Sequence, residues 1–262
     1  MTFMELVLAS GTSVLALFLG LFALSLVRRD ASIVDIFWGP AFALVSWFGL
    51  LAGGAPGPRP ALVTALVTSW GLRLGIHLYL RSRGRGEDRR YAAMRAVHGT
   101  RFGLVSLFTV FLFQAGLVVV ISTPISLVAS ASTEEARASL GWLDAVATIL
   151  VVTGIMVESI ADLQLARFLK NPANRGRVLA HGLWRYSRHP NYFGDAVVWW
   201  GLGLFGWATG GWLGLVGPAI MTFLLLRVSG VALLEKTIQT RRPEYTEYRK
   251  TTSAFFPRWG SR

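Results

Sequence analysis

The stretch from Gly182 to Asp195 reads GLWRYSRHPNYFGD. It sets Arg185, Arg188 and His189 beside Tyr186, Asn191 and Tyr192, with Pro190 among them and apolar sequence following at once. Cations, hydrogen-bond donors and aromatic rings converging on a helix end suit an anionic, aromatic ligand such as a nucleotide cofactor. A positive, aromatic flank that anchors a helix at a membrane surface would use the same arginines. It has no need of His189, Asn191 or Asp195. A second candidate is Tyr91, which follows RGEDRR. Its phenol can donate to a carbonyl oxygen that gains charge, and can pass on a proton. Asp35 is a carboxylate that could orient it. The plainer reading of Tyr91 is an interfacial anchor.

Further ionisable side chains interrupt apolar sequence. Glu158 and Asp162 are one helical turn apart and share a face. Asp195 opens an apolar segment and Arg227 interrupts another. Each is costly in lipid and calls for a partner or a watery cavity, so internal ion pairs compete with a ligand site. Metal chemistry is not expected. There is no cysteine, and His77, His98, His181 and His189 are scattered without ligand spacing. Gly201, Gly203 and Gly206 spell G-x-G-x-x-G. They lie inside an apolar segment with no preceding strand, so close helix packing accounts for them better than a dinucleotide fold.

The elements that carry these residues follow from composition. Of 262 residues, 53% are hydrophobic and only 15% charged. The apolar residues come in long blocks, as in a polytopic membrane protein. Residues 6–27, 33–51, 61–80, 102–128, 143–165, 191–207 and 212–234 are each about long enough to span. The expectation is an all-α bundle of seven transmembrane helices forming one domain over residues 1–262, its first helix retained rather than cleaved. The basic stretches 81–101 and 166–190 and the tail 235–262 read as loops on one side, leaving only Arg59 and Arg137 on the other. The positive-inside rule then puts the rich side in the cytoplasm and the amino terminus outside, as in a bacterial inner membrane. The same bias, with anionic headgroups, explains most of the net charge of +12 without nucleic acid.

RYSRHPNY at 185–192 resembles the signature of a superfamily of membrane enzymes that includes steroid 5α-reductases, sterol reductases, isoprenylcysteine carboxyl methyltransferases and phospholipid methyltransferases. SIVDIFWG around Asp35, RGEDRRY at 85–91 and RRPEYTEYRKTTSAFFP at 241–257 resemble the bacterial branch of steroid 5α-reductase-like proteins. The resemblance runs through nearly the whole chain. It implies NADPH-dependent reduction of the double bond of a 3-oxo-Δ4-steroid or similar lipid enone taken from the bilayer. Tyr91 matches the tyrosine that polarises the substrate carbonyl, and Asp35 its acidic partner. Asp162, Tyr186, Asn191, Asp195 and Arg227 match cofactor-contact positions, with Arg188 and His189 of the signature beside them. Leu169 stands where the steroid enzymes carry an arginine, so Arg167 or Lys170 is the candidate for that phosphate contact, and Arg241 is a further candidate cation. Two alternatives stand: a methyltransferase using S-adenosylmethionine, which shares the RHPNY-like core, and a non-catalytic lipid-binding membrane protein.

Overall fold

A computed structural model describes residues 1–53, 57–131, 140–228, 230–231, 235 and 244–258. The described residues form helices and no strands: α1 (Phe3–Arg28), α2 (Ile33–Ala52), α3 (Pro58–Ser82), α4 (Arg89–Ile121), α5 (Thr123–Ala129), α6 (Trp142–Lys170), α7 (Pro190–Gly210), α8 (Val216–Phe223) and α9 (Tyr245–Thr251). Six runs are long and apolar enough to cross a membrane: α1, α2, α3, α4, α6 and the run Pro190–Val228. Their outward faces carry large apolar side chains, as lipid requires. The chain is an integral membrane protein.

The run Pro190–Val228 is not one rod. Residues 200 and 222 of a straight helix would lie about 33 Å apart. Instead Trp200 Nε1 donates to Thr222 Oγ1 at 3.1 Å. The chain turns back at Gly210 and Gly211, where Gly211 takes φ +63°, a left-handed conformation that glycine adopts without a Cβ clash.

One stretch expected to be a loop is largely helical, and another opens as helix. Residues 81–101 contain the last turn of α3 and the first turns of α4, and α6 continues to Lys170. Arginine, alanine and methionine are good helix formers, so strong charge did not mean irregular backbone. Asp88 supplies the signal for α4: it is the N-cap, and its carboxylate accepts from Arg90 N at 2.9 Å.

The chain divides into two compact units. The first comprises Met1–Asp144 and Leu204–Gly217. In it α2 and α3 cross backbone to backbone. A Cβ on Gly39 would meet the Gly71 carbonyl oxygen at 2.5 Å, and the reverse contact is equally short. Only glycine allows so close an approach. Ser46 Oγ donates to Thr64 Oγ1 at 2.9 Å along the same interface. At the far end of α3, buried Arg59 makes a two-point pair with Asp144 at 2.7 and 2.8 Å.

The second unit comprises Ala145–Gly203 and Pro218–Arg262. Here α6 packs against the first half of α7, and a Cβ on Gly201 would meet Val151 at 2.7 Å, so the G-x-G-x-x-G string begins with a packing glycine. The turn at 182–185 docks on α6: Leu183 N donates to Gln164 Oε1 at 3.0 Å and Trp184 Nε1 to the Ala161 carbonyl at 3.1 Å. Ala161, Phe168, Leu179 and Trp184 close a small core beneath it.

Candidate functional site

In the first unit, the opening turns of α2 and α4 present their polar side chains to each other. Asp88 N donates to Ser32 Oγ at 2.7 Å, and Ala31 N to Glu87 Oε1 at 2.8 Å. Arg95 closes a two-point pair on Glu87 at 2.9 and 2.8 Å. These hydrogen bonds from Arg95 outweigh partial burial and hold the Glu87 carboxyl below the usual carboxylate range. Burial works the same way against Asp88, and contacts from Arg90 prevail there to keep it low.

This frame brings Asp35 and Tyr91 together. The buried Tyr91 donates from Oη to Asp35 Oδ1 at 2.7 Å. Arg90 takes the other oxygen, donating from Nη2 to Asp35 Oδ2 at 2.6 Å, and spans to Asp88 Oδ1 through Nε at 2.9 Å. Its guanidinium carbon lies 5.2 Å from the centroid of the Tyr91 ring. Gln114 lies against the same phenol. It follows the π-helical turn Leu107–Leu112, whose wider winding shifts the register of α4 just before it. The arrangement is a phenol with its hydrogen held by a carboxylate, and a carboxylate held in turn by a guanidinium. It can present a hydrogen bond or a proton to an oxygen that becomes negative. Arg90 and Gln114 were not singled out from sequence. Gln114 had a signal, since it is the single amide in the apolar stretch 102–121. Arg90 had none, being one of several arginines in a row.

The remaining candidates lie in the second unit. Asp162 and Glu158 are buried on α6, and Asp195 is buried on α7. Asn191 Nδ2 donates to Asp162 Oδ1 at 3.1 Å, while the buried Asn191 Oδ1 has no hydrogen-bond partner among the described residues. His189 is buried and stacks on Tyr192, ring centroids 5.6 Å apart and planes 10° from parallel. Tyr186 is half-buried, and its carbonyl accepts from Arg258 N at 3.1 Å. Arg167 and Lys170 are exposed on the last turn of α6. Lys170 lines a cavity of about 400 Å³ with Asn171, Asn174 and Arg175. Arg227 is exposed on the returning arm of the Pro190–Val228 run. Arg241 lies outside the described residues. Among the described residues no group of histidines and carboxylates could hold a metal ion.

Arg188 is tied into the protein. It is buried, with Nε donating to Glu235 Oε1 at 2.7 Å and Nη1 to the carbonyls of Arg249 and Thr252 at 3.0 and 2.6 Å. Those donors are spent on the protein. The tail joins the same clasp. Arg188 N donates to the Ser253 carbonyl at 2.8 Å, Ser187 Oγ to the Phe255 carbonyl at 2.8 Å, and the Tyr248 hydroxyl to the Trp184 carbonyl. Glu235 also accepts from the Tyr245 hydroxyl at 3.2 Å and lies 3.4 Å from His189 Nε2. Burial works to raise its carboxyl, but hydrogen bonds from His189 and Arg188, with the arginine charge, hold it at about 2. Burial and the Glu235 charge push the Tyr245 phenol up to about 12.

Comparison with known proteins adds a family and no activity. A protein of Schizosaccharomyces pombe described as "Uncharacterized protein C594.04c" is 27% identical over 272 residues, covering 91% of this chain and 76% of that protein. No solved structure matches. Residues 21–252 match a family model described as "Protein of unknown function (DUF1295)", a span that contains Asp35, Tyr91 and the whole 182–195 stretch, and the chain belongs to that family.

Proposed function

We propose that this DUF1295 protein is a membrane reductase that uses NADPH to saturate the C4–C5 double bond of 3-oxo-Δ4-steroids or a similar lipid enone, with Tyr91 as proton donor. The observation that carries the reading is the 2.7 Å hydrogen bond from the buried Tyr91 phenol to Asp35. Membership of a family that includes steroid 5α-reductase-like proteins supports it.

When bound, NADPH supplies the hydride for the β-carbon of the enone. Negative charge then gathers on the carbonyl oxygen, and a preorganised donor acts most strongly there. Tyr91 turns its hydroxyl from Asp35 to that oxygen and gives up the proton; the enol so formed takes a proton from water at C4 as its hydroxyl proton returns to the phenolate, which leaves the saturated ketone. Asp35 fixes the phenol, and Arg90 holds Asp35 through its second oxygen while the first is released. In the second unit the chemistry of several groups fits a phosphorylated dinucleotide. Asn191 Oδ1 is a buried acceptor suited to an amide N–H. Arg167, Lys170 and Arg227 are exposed and make no ion pair among the described residues, so their charge is available to phosphates. Tyr186 offers aromatic surface, His189 braces the Tyr192 ring by stacking, and Asp162 and Asp195 offer carboxylates of the type that binds sugar hydroxyls.

The reading includes a topology of seven crossings in a bacterial inner membrane, with the amino terminus outside and the carboxyl terminus cytoplasmic. The reversal at Gly210–Gly211 supports the seventh crossing. Burial of Arg59 against Asp144 supports the charge asymmetry, because that cation is neutralised on the poor side.

The test is thermal unfolding of the purified protein with NADPH, with S-adenosylmethionine and with neither, beside NADPH oxidation on adding a steroid enone. A ligand that binds only the folded state raises its stability. A rise with NADPH and enone-dependent oxidation is the expected result. A rise with S-adenosylmethionine alone would replace the reductase by a methyltransferase, and no rise with either would favour a lipid-binding protein without catalysis.

A further inference from the structure

We infer that the corner of the first unit where the α1–α2 turn meets the start of α4 binds the headgroup of an anionic phospholipid. The corner is one built structure, since Ala31 N and Ser32 Oγ hydrogen-bond to Glu87 and Asp88 at 2.8 and 2.7 Å. Arg81, from the end of α3, adds its charge to the field at Asp88.

Every carboxylate in this corner is already engaged. Asp30 accepts from Ser32 N at 2.9 Å, Asp35 from Tyr91 and Arg90, Glu87 from Arg95, and Asp88 from Arg90. Arg28, Arg29, Arg81, Arg85 and Arg89 are exposed and have no ion-pair partner among the described residues. The patch is made of arginine, whose planar fork matches the two free oxygens of a phosphodiester better than an ammonium does.

Arg29 differs from the other arginines of the patch. It caps α1 with φ 52° and ψ 38°, and it is the one non-glycine residue at positive φ among the described residues. That conformation at a helix end falls to glycine, or less often asparagine, because a Cβ is strained there. An arginine in that conformation, exposed and without an ion-pair partner among the described residues, leaves its guanidinium open to an anion.

The apolar half of the ligand is provided for on the same helix ends. Val27 is 82% and Leu80 62% exposed, each directly preceding a cation of the patch. Charge above and apolar surface beneath, at the ends of membrane-spanning helices, fit a phospholipid better than a free phosphate. This site does not depend on the reductase reading.

The experiment uses the full chain in lipid nanodiscs of phosphatidylcholine, or of phosphatidylcholine with about a quarter phosphatidylglycerol, a fraction that gives the surface a clear negative potential. The thermal midpoint of the wild type should rise by about 3 °C in the anionic discs, and a phosphatidylglycerol molecule should be retained in native mass spectra. Arg29→Gly relieves the backbone, so in phosphatidylcholine its midpoint should equal or exceed that of wild type. In anionic discs it should lose most of the rise and bind phosphatidylglycerol about fivefold more weakly. Arg29→Asn also tolerates this conformation and decides the matter if the glycine variant does not fold. An undiminished rise in these variants would overturn the site. So would inorganic phosphate reproducing the rise in pure phosphatidylcholine for wild type but not for Arg29→Gly, since the corner would then be a free-anion site.

Discussion

Arg90 and Arg188 each pair with a carboxylate, at 2.6 and 2.7 Å, and their surroundings make them different devices. The Arg90 side chain is 44% exposed and its partner Asp35 26%, so water and a ligand can reach the pair, and the phenol sharing Asp35 has somewhere to turn. The Arg188 side chain is 7% exposed, and its remaining identified contacts are backbone carbonyls of the tail. The first arrangement can exchange a hydrogen bond with a visitor. The second can only be broken. A cation inside a recognisable motif is therefore no guide to ligand contact until its donors have been traced.

The largest effect that tests this contrast is on stability. Arg188→Ala would leave Glu235 and two carbonyls without their donor in a buried setting, which costs about 3–5 kcal/mol. Arg90→Ala, the same change at an exposed pair, should cost about 1 kcal/mol or less. Denaturant or thermal unfolding of the two variants should differ accordingly, and equal losses would erase the distinction. Next comes turnover. Tyr91→Phe keeps the ring and deletes the donor, so enone reduction should fall about 10²- to 10³-fold while NADPH affinity holds. Near-normal turnover would return Tyr91 to an interfacial anchor. The smallest effect is a pH dependence confined to the clasp. Glu235 is held at about 2, below its ordinary 4.5. A depressed carboxyl contributes stability that is fully present above the unfolded value and is lost as pH falls from there toward 2. The thermal midpoint should therefore drop between pH 5 and pH 3, about that window. Glu235→Gln should flatten the drop, and an unchanged slope in that variant would show that other groups carry it.

The sequence was informative where membrane cost speaks. Asp35 and Tyr91 stood out as polar groups at the ends of apolar segments, and the structure joins them. The reversal after Trp207 was legible from Ala208–Gly211, because turn-forming glycines interrupt an apolar run there. What stayed hidden is long-range. Arg188 meets Arg249 and Thr252 across 61 and 64 residues, and no local pattern announces a carbonyl that far away. Helix through the basic stretch 89–98 was missed because polarity was read as irregularity, although Asp88 stood ready as a cap. Arg90 was hidden by company, since several neighbouring arginines look alike until the helix chooses which faces Asp35.

The crossing of Gly39 and Gly71 bears on more than packing. Asp35 sits one turn, about 6 Å, before that contact on α2. Mechanically the crossing is a fulcrum and the first turn of α2 its short arm. A single methyl at Gly39 would meet a carbonyl oxygen at 2.5 Å and force the two helices apart. The tilt would be delivered to Asp35, and through it to Tyr91, without any change in the polar residues themselves. The reach of the carboxylate is thus set by a residue that has no side chain, and drift at that position would retune the pair as surely as substituting it.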